Sequence, residues 1–321
     1  MPPVPLVRVV RSGFEESVHL GSVAVVDVDG RLVAHAGDPE RVAFARSSMK
    51  PLQATVSLSL AGEELTDQEM AVMCASHNGE PIHVEAVRSI LRRAGLGFEA
   101  LRCPPSRPLD PGSPVLSPHP RYHNCSGKHA GMLLACARQG FDLPSYRDPD
   151  HPLQQEVLRA VTAVGGPPRA VGVDGCGVPV HALSLREMAG LYARLVSGHA
   201  PGPLAQPAAR AVAAMTAAPY LVAGRQRVCT AVMETAAGVI LKVGAEGLVC
   251  AGVAGSGLGV AAKAEDGASR AQAPVIVHAL AQLGALDDGA LDRLTAHARP
   301  AVLGGGEPAG HLEPAFELVR T

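Results

Sequence analysis

Apolar positions form short runs near both ends of the chain and fall at helical spacing between them. Val4–Val10 is one apolar run, and Ser22–Asp27 and Leu32–Ala36 flank an Asp29-Gly30 turn, the pattern of a hairpin. Helical spacing then predicts a helix from Ser47 to Leu60, with Pro51 tolerated near its first turn. A second is predicted from Thr66 to Cys74, opened by the Thr66-Asp67-Gln68-Glu69 capping box, and a third from Pro81 to Gly95. Residues 103–120 hold seven prolines and read as an ordered loop. Further helices are predicted at 127–139, 151–164, 184–197 (a second capping box, Ser184 with Glu187), 205–217 and 268–283. Strands are predicted at 170–173, 238–243 and 247–254, the last two around a Gly244-Ala245-Glu246-Gly247 hairpin. No internal repeat is present. The expected architecture is an α/β sandwich whose central, mostly antiparallel sheet gathers both ends of the chain around a helical middle.

Composition narrows the function classes. Of 321 residues 47% are hydrophobic and 18% charged, with a formal net charge of −2, which argues against disorder and against a basic nucleic-acid footprint. Aromatic residues make up 3% and Trp is absent, so base-stacking platforms are not expected. No apolar run reaches the roughly 20 residues that span a bilayer, and the N-terminus lacks the apolar core and cleavage site of an export signal. A soluble cytoplasmic protein is therefore expected, without nucleic-acid or membrane partners. Its seven cysteines read as thiol or metal chemistry rather than a disulfide framework. Lys and Arg total 28, yet Lys occurs only at Lys50, Lys128, Lys242 and Lys263. Lysine, unlike arginine, can lose its proton when desolvated and then serve as a base or ligand.

Three of those lysines sit in motifs that carry chemistry. Ser47-Ser48-Met49-Lys50 is an S-x-x-K element that puts hydroxyl and amine about one helical turn apart. Ser76-His77-Asn78-Gly79 presents S-x-N from a turn, although Asn-Gly also ends ordinary helices. Lys242-Val243-Gly244 closes an apolar strand. In this order the three match the S-x-x-K, S-x-N and K-T-G set of penicillin-recognising serine hydrolases, with a short Ser47–Ser76 interval and Val243 in place of Thr. Two Gly-bracketed turns follow, His123-Asn124-Cys125-Ser126-Gly127-Lys128-His129 and Asp174-Gly175-Cys176-Gly177-Val178-Pro179. Cys125 and Cys176 suit a soft zinc site shared with Lys128, or burial as structural thiols, or a nucleophile with His123 or His129 as base.

Taken with Arg46-Ser47-Ser48-Met49-Lys50-Pro51-Leu52-Gln53-Ala54, Cys74-Ala75-Ser76-His77-Asn78-Gly79-Glu80 and Lys242-Val243-Gly244-Ala245-Glu246-Gly247, these blocks resemble the rhizobial-type L-asparaginases, the asparaginase II family. The resemblance runs from the N-terminal hairpin to the helix near 283. It implies a serine-β-lactamase-like αβα fold, one domain over 1–321 with its helical insertion at roughly 47–235, and a homodimer that hydrolyses L-asparagine to L-aspartate and ammonia. By motif, Ser47 with Lys50 forms the first catalytic tandem. Ser76 pairs with Lys242 in the second, Lys263 being the less favoured partner. Cys125, Lys128 and Cys176 match a zinc site completed by water, with Asp174 close to that water. Arg46, His77, Asn78, Asp174 and Gly244 are the candidate substrate contacts. The competing readings are a serine hydrolase acting on β-lactams and a silent protein that binds an amino acid.

Overall fold

A computed structural model describes all 321 residues. The chain divides into two compact units, one formed by Met1–Ser48, Leu183–Ser197 and Ala231–Thr321, the other by Met49–Ala182 and Gly198–Thr230. The expected mixed α/β fold is present, with an antiparallel sheet drawn from both ends of the chain and a helical middle.

The first unit carries the sheet. Its strands lie in the order Ala301–Gly304, Glu307–Pro314, Val4–Arg11, Phe14–Val26, Leu258–Ala264, Leu248–Val253 and Val239–Val243, and Leu32–Ala36 also pairs with Phe14–Val26. Phe14–Val26 is the pivot. Its first half is exposed and pairs with Val4–Arg11, whereas from Gly21 to Val26 it is buried on both faces and pairs with Leu258–Ala264, Val23 opposite Ala262. Burial on both faces explains why Val23–Val26 is a continuous apolar run rather than an alternating one. The helix Leu185–Val196 packs on this sheet, its start fixed by the predicted Ser184/Glu187 capping box. Gly259 permits that approach, because a Cβ there would lie 1.8 Å from the Ala189 carbonyl oxygen. The helix Gln272–Gln282 also packs on the sheet, against Leu248–Val253 and Leu258–Ala264.

The second unit is built around Lys50–Ala61, which contacts Ser126–Gln139, Pro152–Gly165 and Ala205–Ala217. Almost every residue from Lys50 to Leu58 is buried, so this helix lacks a polar face. Thr55 and Ser57 satisfy their hydroxyls on the Pro51 and Gln53 carbonyls one turn back. The Thr66/Glu69 capping box opens Asp67–Met73 as predicted. Gly127 lets Ser126–Gln139 pass that helix closely, since a Cβ at Gly127 would meet the Val72 carbonyl oxygen at 2.0 Å. Strand Ala170–Val173 pairs with the start of Pro179–Ser184 and delivers the turn holding Asp174 and Cys176. No helix is long and apolar enough to cross a membrane.

Two predictions required correction. Ser47 begins no α-helix: Arg46–Met49 is a 3-10 turn and the α-helix starts at Lys50, because Arg46 takes a left-handed φ of 46°. The strands Leu258–Ala264, Ala301–Gly304 and Glu307–Pro314 were not predicted at all.

Candidate active site

Lys50 is wholly buried at the first residue of its helix. Its Nζ donates to the Ala75 carbonyl at 2.5 Å and the Asn124 carbonyl at 3.3 Å, and lies 2.9 Å from Ser76 Oγ. The carbonyls can only accept, whereas the Ser76 hydroxyl can accept or donate. As an ammonium, Lys50 donates to all three. As a neutral amine it donates to both carbonyls and accepts the Ser76 proton. The cage therefore offers the amine a full set of partners in either state.

Ser76 is presented from a strand-like segment. The amides of Ser76 and Asn78 donate to Val222 and Ala223, at 2.9 and 2.8 Å, while His77 N between them donates to Asn124 O at 3.2 Å. This alternation puts the Ser76 and Asn78 side chains on one side and His77 on the other. His77 Nδ1 accepts the Gly79 amide at 3.1 Å, so the ring proton sits on Nε2 and is donated to Ser126 Oγ at 3.0 Å. Burial first, and then the neighbouring His83 and Lys50 charges, hold His77 well below the usual histidine range. His77 therefore props the segment as a neutral ring, stacked on His83 with centroids 5.1 Å apart. Asn78 is equally enclosed: its Nδ2 donates to Glu80 Oε1 and the Arg225 carbonyl, each at 3.1 Å, and its Oδ1 accepts from Arg227 at 3.0 Å.

A second cluster joins Cys125, Lys128 and Cys176. Lys128 Nζ is 3.1 Å from Cys176 Sγ, Asp174 Oδ2 is 3.7 Å from the same sulfur, and Cys125 Sγ is 2.9 Å from Asn124 Oδ1. The Cys125 thiol, against burial, lowers the Cys176 pKa together with Lys128, so Cys176 is the thiolate; that same contact and burial push Cys125 well above the usual thiol range. Burial is the largest influence and pulls Lys128 down, but Cys176, Cys125 and Asp174 together outweigh it and the amine ends above its usual range. Buried His129 bonds the Tyr146 hydroxyl through Nδ1 at 2.5 Å, while its Nε2, next to Cys176, has no partner of ordinary geometry. No set of three His, Cys, Asp or Glu side chains that could hold a metal is gathered anywhere in the fold, this cluster included. Two sulfurs and an amine, all buried and with a thiolate already favoured, fit a soft divalent ion such as zinc. All seven cysteines are free and buried.

The remaining candidates belong to the sheet-bearing unit. Ser47 is half-exposed, and its neighbour Ser48 is buried and tied down on both sides. Ser48 Oγ donates to the Lys242 carbonyl at 3.0 Å, and the buried Tyr192 hydroxyl donates to the Ser48 carbonyl at 2.7 Å. Arg46 lies 3.9 Å from Glu246 as a partly exposed ion pair. Lys242 is fully buried near the end of Val239–Val243, with Nζ on the Val243 carbonyl at 2.8 Å. Gly244 turns the chain there, and Gln272 holds that turn by donating to the Gly244 and Leu248 carbonyls, both at 2.7 Å. Lys263 lies on Leu258–Ala264 and bonds the Ala264 carbonyl.

Sequence reasoning missed Arg227, Arg225, Glu80 and Tyr220, which surround Asn78. Glu80 accepts from Tyr220 at 2.5 Å and from the Arg225 amide at 3.2 Å; burial raises its pKa, but these bonds with Asn78 bring it below the carboxylate norm. Glu80 closes a motif quoted above, but nothing local marks the two arginines nearly 150 residues downstream.

The sequence matches the model of the L-asparaginase II family over residues 7–314. Comparison with curated proteins returned no match. Among solved structures, a β-lactamase from Mycobacterium bovis is 17% identical with a TM-score of 0.46, covering 83% of this chain and 95% of that one. A putative β-lactamase from Bacteroides dorei is 12% identical with a TM-score of 0.43, covering 80% and 92%. A Bacillus subtilis glutaminase, in covalent complex with 5-oxo-L-norleucine, is 12% identical with a TM-score of 0.38, covering 83% and 88%. Likeness at these values assigns no activity, which follows from the family match. The chain belongs to the L-asparaginase II family and is an amidohydrolase.

Proposed function

We propose that the protein hydrolyses the side-chain amide of L-asparagine to L-aspartate and ammonia, as a cytoplasmic homodimer. The observation that carries this reading is the Lys50 cage: a buried amine, three residues downstream of Ser47, within hydrogen-bond distance of Ser76 Oγ. In the proposed reaction the Ser47 hydroxyl attacks the amide carbon as its proton passes to Lys50. The oxyanion is held by backbone amides at the helix start. Collapse of the adduct breaks the C–N bond, and the proton returns through Ser76, with Lys242 as the second amine, to leave with ammonia. Water then cleaves the acyl-enzyme by the reverse relay and frees L-aspartate. Cys125, Lys128 and Cys176 would hold a zinc ion, which when bound supplies a polarised water toward the amino-acid end of the substrate. Asp174 orients that end. Glutamine, one methylene longer, is the expected minor substrate, because a pocket discriminates a methylene by only about 1–3 kcal/mol.

The test is ammonia release from L-asparagine and L-glutamine, and the colour change of a chromogenic cephalosporin on β-lactam opening, by wild type and Ser47→Ala, with zinc supplied and with zinc stripped. Asparagine should be the best substrate, and folded Ser47→Ala should lose nearly all turnover. Retained turnover in that variant removes Ser47 as nucleophile. Preference for the cephalosporin replaces the substrate.

A further inference from the structure

Arg227 is a half-buried cation without an anion. Its neighbour Arg225 faces Asp110 at 3.3 Å and Glu80 at 3.9 Å, whereas Arg227 makes no ion pair. Glu80 is taken up by Tyr220, the Arg225 amide and Asn78. What Arg227 does have is one hydrogen bond, from Nη1 to Asn78 Oδ1 at 3.0 Å. That bond uses one of five guanidinium donors and leaves the charge uncompensated. A partly desolvated guanidinium with free donors is a receptor for a carboxylate, which it can grip with two parallel bonds.

Its location suits the reaction. Asn78 and Ser76 share a side of one strand-like segment, so Arg227 is anchored two residues from the hydroxyl that bonds Lys50. Alternate residues of an extended chain are about 7 Å apart along the backbone, so a small amino-acid amide with its carboxylate on Arg227 has its amide end toward Ser76. We propose that Arg227 receives the α-carboxylate of the substrate and so selects free α-amino-acid amides over amides lacking that group. This rests on the amide-hydrolysis reading above.

The experiment compares wild type, Arg227→Met and Arg227→Lys on L-asparagine and on 3-aminopropanamide, which is asparagine without its carboxylate, with L-aspartate binding measured by calorimetry. Arg227→Met should raise KM for asparagine roughly 10- to 100-fold with little change in kcat, the loss of one charge-assisted contact. It should leave kcat/KM for 3-aminopropanamide unchanged and weaken aspartate binding to a similar degree. Arg227→Lys should recover part of both losses. If Arg227 acted only through Asn78, both substrates would suffer alike in kcat, aspartate binding would hold, and the proposal would be overturned. Should wild type release no ammonia while Arg227→Met still weakens aspartate binding, the amidase reading fails and the carboxylate assignment stands. Turnover of asparagine that Arg227→Met leaves untouched does the opposite. Wild type with neither turnover nor aspartate binding overturns both.

Discussion

Lys50 and Lys128 are both buried in the first turn of a helix. Their surroundings differ. Lys128 has sulfur beside it, with Cys176 as thiolate, Cys125 within the cluster and Asp174 adding its charge. Lys50 has two carbonyls and a hydroxyl, all neutral. An amine against a thiolate is held in place, as a fixed charge or as a ligand. An amine whose one exchangeable partner is a serine hydroxyl is arranged to pass a proton. One short unit thus uses the same side chain twice, and the neighbouring atoms separate the roles.

The strongest test separates the two lysines. Lys50→Met should lower turnover roughly 10²- to 10⁴-fold, the range for losing a general acid–base group, while bound zinc in the purified protein stays at the wild-type level. Lys128→Met should do the reverse in kind: zinc measured by elemental analysis should fall, and turnover should fall with it by a smaller factor. Equal loss of zinc in both variants, or full activity in Lys50→Met, would erase the distinction.

The histidines around these lysines give a second, smaller test. Burial holds His77 and His83 below the ordinary histidine pKa of 6.5, so both are neutral in the folded protein. The unfolded chain takes up protons below that pH and the folded one does not, so stability is complete above about pH 6.5 and declines as pH falls toward the folded values. Melting temperature should therefore drop between pH 7 and pH 5, above the window in which Glu69, Glu80 and Glu265, held below the usual glutamate range, lose their charge. Because the Lys50 charge also depresses His77, Lys50→Met should make the decline shallower. A flat profile from pH 7 to 5 would show that these rings are not buried as neutral groups.

Local signals were the legible ones. Both capping boxes and the hairpin at Asp29-Gly30 form because their partners are within a few residues. The strand Leu258–Ala264 was invisible, since its Ala- and Gly-rich sequence has no period of its own and its place is set by Phe14–Val26, more than 230 residues earlier. The start of the first central helix was misplaced because Arg46 adopts a left-handed conformation that no local pattern announces. At the site, motif chemistry picked out Ser47, Lys50, Ser76, Cys125, Lys128 and Cys176, but the partner that the structure gives Lys50 is Ser76. That pairing depends on the strand-like run from Ser76 to Asn78, which is held by the Val222 and Ala223 carbonyls. Arg227 was missed for the same reason: it reaches Asn78 only when residues 222–227 fold back.

The smallest effect expected concerns the support beneath Lys128. The Tyr146 hydroxyl accepts from the Arg102 amide at 3.0 Å and lies 2.5 Å from His129 Nδ1. A phenol oxygen that accepts one amide still has its own proton to give, and His129 Nδ1 is the acceptor in reach. That assigns the imidazole proton to Nε2, the nitrogen next to Cys176, where it stabilises the thiolate. Tyr146→Phe keeps the ring and removes the hydroxyl, which takes the acceptor from the part-buried Arg102 amide and frees the tautomer. The cost should be about 1–3 kcal/mol, or a fall in Tm of roughly 2–4 °C per kcal/mol for a chain somewhat smaller than this one. Turnover at saturating zinc should barely change, because Lys50 and Ser76 are untouched. Zinc retention under a competing chelator should weaken several-fold, since the ring that steadies Cys176 is no longer fixed. A loss of turnover as large as that of Lys50→Met would mean that the two lysine environments form one proton network, and the separation between fixed and mobile charge would fail.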